Sequence, residues 1–129
     1  MFSERQPCPL AVRRGLLRGA LNFMDIKNKK LGILLFNGPE NQDIHTVIGL
    51  ATTALKSGVE VELFLMYEGV LNAAYKPLQE LSKDKNFKVT VCTHNADELK
   101  AFKFEGFKYG SQYDNSFIAN ESDRYISFI

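Results

Sequence analysis

Leu31-Gly-Ile-Leu-Leu-Phe36 and Val59-Glu-Val-Glu-Leu-Phe-Leu-Met66, with the stretch between them, decide the fold of this chain. The first run is apolar on both faces, the mark of a strand covered on both sides. Asn37-Gly38-Pro39 turns the chain away from it. Asp43 is then placed to cap a helix whose apolar face is Ile44, Val47, Ile48, Ala51 and Leu55, spaced at three and four. Gly58 sits where a left-handed helix C-cap belongs. In the second run Val59, Val61, Leu63 and Leu65 share one face. Strand, helix and strand make a β-α-β unit, which demands a parallel pair joined by a right-handed crossover.

Outward from that unit the alternation continues. Tyr67-Glu68-Gly69-Val70 leads into a helical stretch from Leu71 to Tyr75, and Pro77 starts a second piece carrying Leu78 and Leu81. Phe87-Lys-Val-Thr-Val-Cys92 reads as a third strand. Asn95-x-x-Glu98 resembles a capping box opening a short helix that closes near Gly106. Phe107 to Tyr109 is a brief fourth strand, Asn115 to Asn120 is weakly helical, and Arg124-Tyr-Ile-Ser-Phe128 closes as the last strand. The expectation is an α/β protein, a three-layer α/β/α sandwich with about five mostly parallel strands.

Residues 1–23 differ in texture. They hold four arginines (Arg5, Arg13, Arg14, Arg18) against Glu4, a net of +3, whereas residues 24–129 hold twelve Lys/Arg against fourteen Asp/Glu, a net of −2. Arginines interrupt every apolar stretch there, which argues against a secretory signal. We read 1–23 as a flexible extension, or as the product of a start assigned upstream of Met24, over the alternative of an Arg-rich organellar presequence. Residues 24–129 form the single domain.

Composition narrows the function. With 129 residues, 45% hydrophobic and net charge +1, the chain supports one globular core and is not a disordered polymer. No apolar run approaches the roughly 18–20 residues of a spanning helix. Two cysteines and two histidines at these spacings make neither a disulfide framework nor a zinc site. A near-neutral balance points away from nucleic acid as a direct partner. The expectation is a cytoplasmic protein with no cofactor and no membrane attachment.

In open parallel sheets, ligands bind outside the carboxyl ends of the strands. Three segments meet that condition: Asn37 to Asn41, Tyr67 to Val70, and Cys92 to Asn95. The first two offer Asn37, Gly38, Glu68 and Gly69 as candidate binding residues. In the third, Cys92 ends a strand just before a helix start, with His94 two residues on. A helix dipole and an imidazole both favour a thiolate, and thiolate attack on a sulfane sulfur needs little more than such a cysteine. The competing reading is a small buried core residue, the usual fate of a free cysteine. His45, in the first turn of the first helix, is a remote acid–base candidate against the commoner solvated histidine. Cys8 lies in the extension and carries little. No Ser/His/Asp triad emerges, and Asn37-Gly38-Pro39 lacks the ending of a phosphate loop.

Four pieces in order, from Leu31 to Phe128, resemble the DsrE/TusD family of small sulfur-relay proteins. They are the strand into Asn37-Gly38-Pro39 with its helix ending Ala54-Leu-Lys-Ser-Gly58, and Phe64-Leu-Met-Tyr-Glu-Gly69-Val70-Leu-Asn72-Ala73, similar to an E-G-V-x-N-A turn. Then come Val89-Thr-Val-Cys92, and Gly106-Phe107 with Ser122-Asp-Arg-Tyr-Ile-Ser-Phe128. The resemblance implies a DsrE-like fold and a sulfur carrier or sulfurtransferase. In that role Cys92 accepts a persulfide sulfur and passes it to a partner protein thiol, with His94 tuning the cysteine. It also implies sulfur-donor and sulfur-acceptor proteins as partners, backbone N–H groups beyond Cys92 that steady the persulfide, and a trimer or hexamer of like or sister subunits. The alternative within the same fold is a non-catalytic subunit or small-ligand binding module; a nucleotide-binding module rests on fold analogy alone. One departure stands out. Thr93-His94-Asn95 replaces the family's small residues, and only thirteen residues separate Cys92 from Gly106.

Overall fold

A computed structural model describes residues 26–129; the extension 1–23 and Cys8 lie outside the described residues. Five strands, all parallel, form one sheet in the order β4-β3-β2-β1-β5. They are β1 (Lys30–Leu35), β2 (Glu60–Leu65), β3 (Phe87–Cys92), β4 (Lys108–Gly110) and β5 (Arg124–Phe128). The helices are α1 (Asp43–Lys56), α2 (Lys76–Leu81), α3 (Thr93–Glu98) and α4 (Gln112–Glu121), with a 3₁₀ segment over Tyr67–Ala74.

The layering follows from crossover handedness. From β1 to β4 the chain advances in one direction across the sheet, so right-handed crossovers place α1 and the following connections on one face. The step from β4 back to β5, beside β1, reverses direction and puts α4 on the other. Strand alternation assigns the residues. Ile33, Leu35, Val61, Leu63, Leu65, Val89 and Val91 face α1, which buries Ile44, Val47 and Ala51 against them. Gly32, Leu34, Phe64, Thr90 and Cys92 face the opposite side. A Cβ on Gly32 would lie 2.5 Å from Ser122 Oγ and 2.9 Å from Ile118 Cγ2, so α4 sits almost on the backbone of β1. The three-layer α/β/α sandwich expected from the sequence is present.

Local expectations fare unevenly. Gly58 ends α1 at φ 84°, as its position indicated. Asp43 is the first helical residue and not the cap; its carboxylate accepts from Asn37 Nδ2 at 2.6 Å, and Asn41 Oδ1 accepts from its N–H at 2.9 Å. The helix expected at Leu71–Tyr75 is the longer 3₁₀ segment from Tyr67. The Asn95 capping box does not form. Helix α3 starts three residues earlier, with Cys92 in the cap position, and the Asn95 side chain accepts from the Tyr67 N–H at 2.8 Å. Helix α4 starts at Gln112, ahead of the expected Asn115, because Ser111-Gln-Tyr-Asp114 is a true capping box.

That box gives a pH-dependent element. Asp114 accepts from the Ser111 N–H at 2.9 Å and pairs with Lys108 Nζ at 3.0 Å. The Ser111 backbone bond first, then Lys108, hold its carboxyl below the usual 3.8. A depressed folded-state value means the contribution is full above the unfolded-state pKa and is lost as pH falls through the folded one. Stability therefore declines as pH drops below about 4. Asp114→Asn, which keeps an acceptor for Ser111 but not the charge, is expected to flatten that acid limb and to cost about 0.5 kcal/mol at neutral pH. Urea unfolding at pH 3 and pH 7 checks both.

Candidate functional site

Three strand ends converge at the carboxyl edge of the sheet, and their side chains divide into two groups. The first group is architectural. Asn72, fully buried in the 3₁₀ segment, donates from Nδ2 to the Asn37 carbonyl at 3.0 Å and the Gly69 carbonyl at 3.1 Å. It ties the turn after β1 to the turn after β2. Gly69 N–H in turn donates to the Phe36 carbonyl at 3.1 Å. Tyr67 takes a left-handed backbone at φ 52°, rare for a bulky residue, and the Asn95 acceptor and stacking on Phe36 (centroids 4.8 Å apart, 19° between planes) hold it there. Asn37 and Gly69 are thus committed to joining loops, while Glu68 is exposed at the surface. Gly38 is buried in the same turn.

The second group surrounds Cys92. The thiol residue is 5% exposed at the last position of β3 and lies on the face that α4 covers. It opens onto a groove of about 720 Å³ whose walls include Met66, His94, Asn95, Ser111 and Gln112. Strand register explains the assembly. Leu65 pairs with Val91, so Met66 comes level with Cys92 on one side; Gly110 pairs with Cys92 on the other. Gly110 presents no side chain, and a Cβ there would lie 2.1 Å from Asp114 Oδ2, so the capping box and the bare wall beside Cys92 go together.

The structure brings Cys92 and His94 to one groove, with His94 on the exposed side. It does not bring Asn37, Gly38, Glu68 or Gly69 to that groove. His45 is on α1, across the sheet from Cys92, where its Nδ1 lies 3.2 Å from Tyr75 Oη. Helix α3 has six residues, fewer than two turns, so the dipole expected behind Cys92 is short. Met66 and Gln112 were not legible as site residues, although the Ser111–Asp114 capping box is a sequence signal that places Gln112 in a helix's first turn.

Among the described residues no helix is long and apolar enough to cross a membrane. Among those same residues no cluster of three or more His, Cys, Asp or Glu side chains is arranged to hold a metal ion. What the groove does offer is a cysteine set into a wall of thioether, amide and imidazole groups, open to solvent on one side. The amide and imidazole groups of that wall can donate hydrogen bonds to a small group entering the groove.

No protein-family model matches the chain, and no curated protein matches it in sequence. Solved structures do match. The crystal structure of the ychN protein from E. coli superposes with a TM-score of 0.64 at 17% identity, covering 78% of this chain and 99% of that one. At that identity the likeness speaks to the fold alone, and the shared fold is the parallel-stranded α/β/α sandwich.

Proposed function

We propose that this chain is a cytoplasmic sulfur carrier in which Cys92 accepts a sulfane sulfur from a donor persulfide and passes it to a partner protein thiol. The single observation that carries the reading is the place of Cys92: the last residue of a central strand, on the carboxyl edge, with its side chain facing the groove. The DsrE-like fold supports it.

The chemistry balances without an outside oxidant or reductant. Cys92 thiolate attacks the outer sulfur of R–S–SH; a new S–S bond forms at Sγ, the donor S–S bond breaks, and the donor leaves as R–S⁻. The acceptor thiolate then attacks the outer sulfur of Cys92–S–SH, and Cys92 departs as thiolate. His94 stands exposed at the rim of the same groove. Donor and acceptor proteins are the partners in this reading, and a trimer or hexamer of like or sister subunits is the assembly that goes with it.

The burial of Cys92, at 5% exposure, favours the second reading, a non-catalytic subunit or small-ligand binding module of the same fold. Mass spectrometry decides between them. After incubation with polysulfide, the intact chain is expected to gain one sulfur located on Cys92. That sulfur should be absent from Cys92→Ser and should move to an added acceptor thiol. An unmodified Cys92 beside a modified Cys8 would leave the binding-module reading in front.

A further inference from the structure

Cys92 is 5% exposed, and two residues that line its groove, one just beyond each flanking strand, touch each other. Gln112 Nε2, in the first turn of α4 just beyond β4, lies 3.5 Å from Met66 Sδ at the end of β2. Strand β3 runs between β2 and β4, and Cys92 ends it. Met66 stands level with Cys92 on one side and Gly110 is its register partner on the other. A contact from Gln112 to Met66 therefore crosses over the end of β3 on the very face that carries the thiol. Gly110 adds no side chain of its own to the wall between them.

We propose that Met66 and Gln112 form a clasp across β3 that controls access to the Cys92 thiol. Its chemistry suits a closure that opens readily. A thioether is a weak acceptor, so one amide-to-sulfur hydrogen bond holds the clasp shut. Met66 has three rotatable side-chain bonds and Gln112 is exposed, so both swing aside without moving a strand. When open, the same Gln112 amide is freed as a donor in the groove that Cys92 lines, where an incoming sulfane sulfur replaces the Met66 thioether as its partner. The gating of Cys92 stands on geometry alone; the use of the freed amide in sulfur exchange rests on the function proposed above.

The test is alkylation of Cys92 in the full chain carrying Cys8→Ser, comparing iodoacetamide with a bulky maleimide, in native buffer and across low urea. Gln112→Ala removes the donor, and Met66→Leu keeps the volume but removes the acceptor. Each is expected to speed labelling by about three- to tenfold, more for the bulky reagent. The double variant should be no faster than the faster single, since both break one contact. The rates should depend little on urea, as local opening exposes little surface. Unchanged rates, multiplying effects, or a urea dependence equal to that of global unfolding would overturn the clasp. Polysulfide loading of the same chains separates the two ideas. Faster labelling with no sulfur gained retains the clasp and removes the sulfur-carrier reading; sulfur gained at unchanged labelling rates does the reverse.

Discussion

Gly69→Ala is expected to cost about 3 kcal/mol of folding free energy, which for a domain of this size lowers the thermal midpoint by roughly 10 °C. The cause is space. A Cβ at Gly69 would lie 2.2 Å from the Leu35 carbonyl oxygen and 2.9 Å from its carbon, both backbone atoms of a central strand with no freedom to retreat. Gly69 cannot retreat either, since its N–H is held by the Phe36 carbonyl at 3.1 Å and the Met66 carbonyl at 2.9 Å. Its φ is not positive, so conformational freedom is not what the position needs. Gly49 makes the comparison sharp. It lies inside α1 with open space where a Cβ would go, and Gly49→Ala should stabilise by about 0.5–1 kcal/mol through helix propensity. Urea denaturation of both variants reads opposite signs. A Gly69→Ala chain within about 0.5 kcal/mol of the parent would mean that the two turns are not in contact as described.

This outcome would also change how the E-G-V-x-N-A stretch is read. From the sequence, Glu68 and Gly69 looked like ligand contacts because they follow a strand's carboxyl end. The structure gives Gly69 and Asn72 the task of locking two loops together, which needs the same residue types for a different reason: no side chain in one place, a compact double donor in the other. Strand signals were legible because β1 is written as a run apolar on both faces and β3 as an alternation, and all five expected strands form, with β4 and β5 at the edges less buried. Helix starts were less so. Asp43 and Asn95 have the residue types of caps, but each serves as a tertiary or turn acceptor here, whereas the true box at Ser111–Asp114 sits beside a three-residue strand. The groove around Cys92 was half legible. Cys92 and His94 are close in sequence, but Met66 and Gln112 are 46 residues apart and meet only because β3 lies between β2 and β4. Strand order across a sheet is long-range information that no local pattern carries.

Phe64 tests whether the α4 face is a real second core and whether it supports that groove. It is fully buried at the middle of the sheet, flanked in register by Leu34 and Thr90, on the face covered by α4. Of α4 only Ile118 is buried, so few apolar groups are on hand to fill a void left beneath it. Phe64→Ala is therefore expected near the upper end for such truncations, about 4 kcal/mol, and Phe64→Leu at about 1 kcal/mol. The effect should reach the site, because α4 carries Gln112 in its first turn and packs on the face of the sheet that buries Phe64. In Phe64→Leu, Cys92 should alkylate faster than in the parent, with a urea dependence between that of the clasp variants and that of global unfolding, as a whole helix loosens. A Phe64→Ala loss below about 1.5 kcal/mol would mean that α4 collapses readily onto the sheet. Undiminished protection of Cys92 in Phe64→Leu would mean that the groove is held by the strand ends themselves and owes nothing to the seat of the helix.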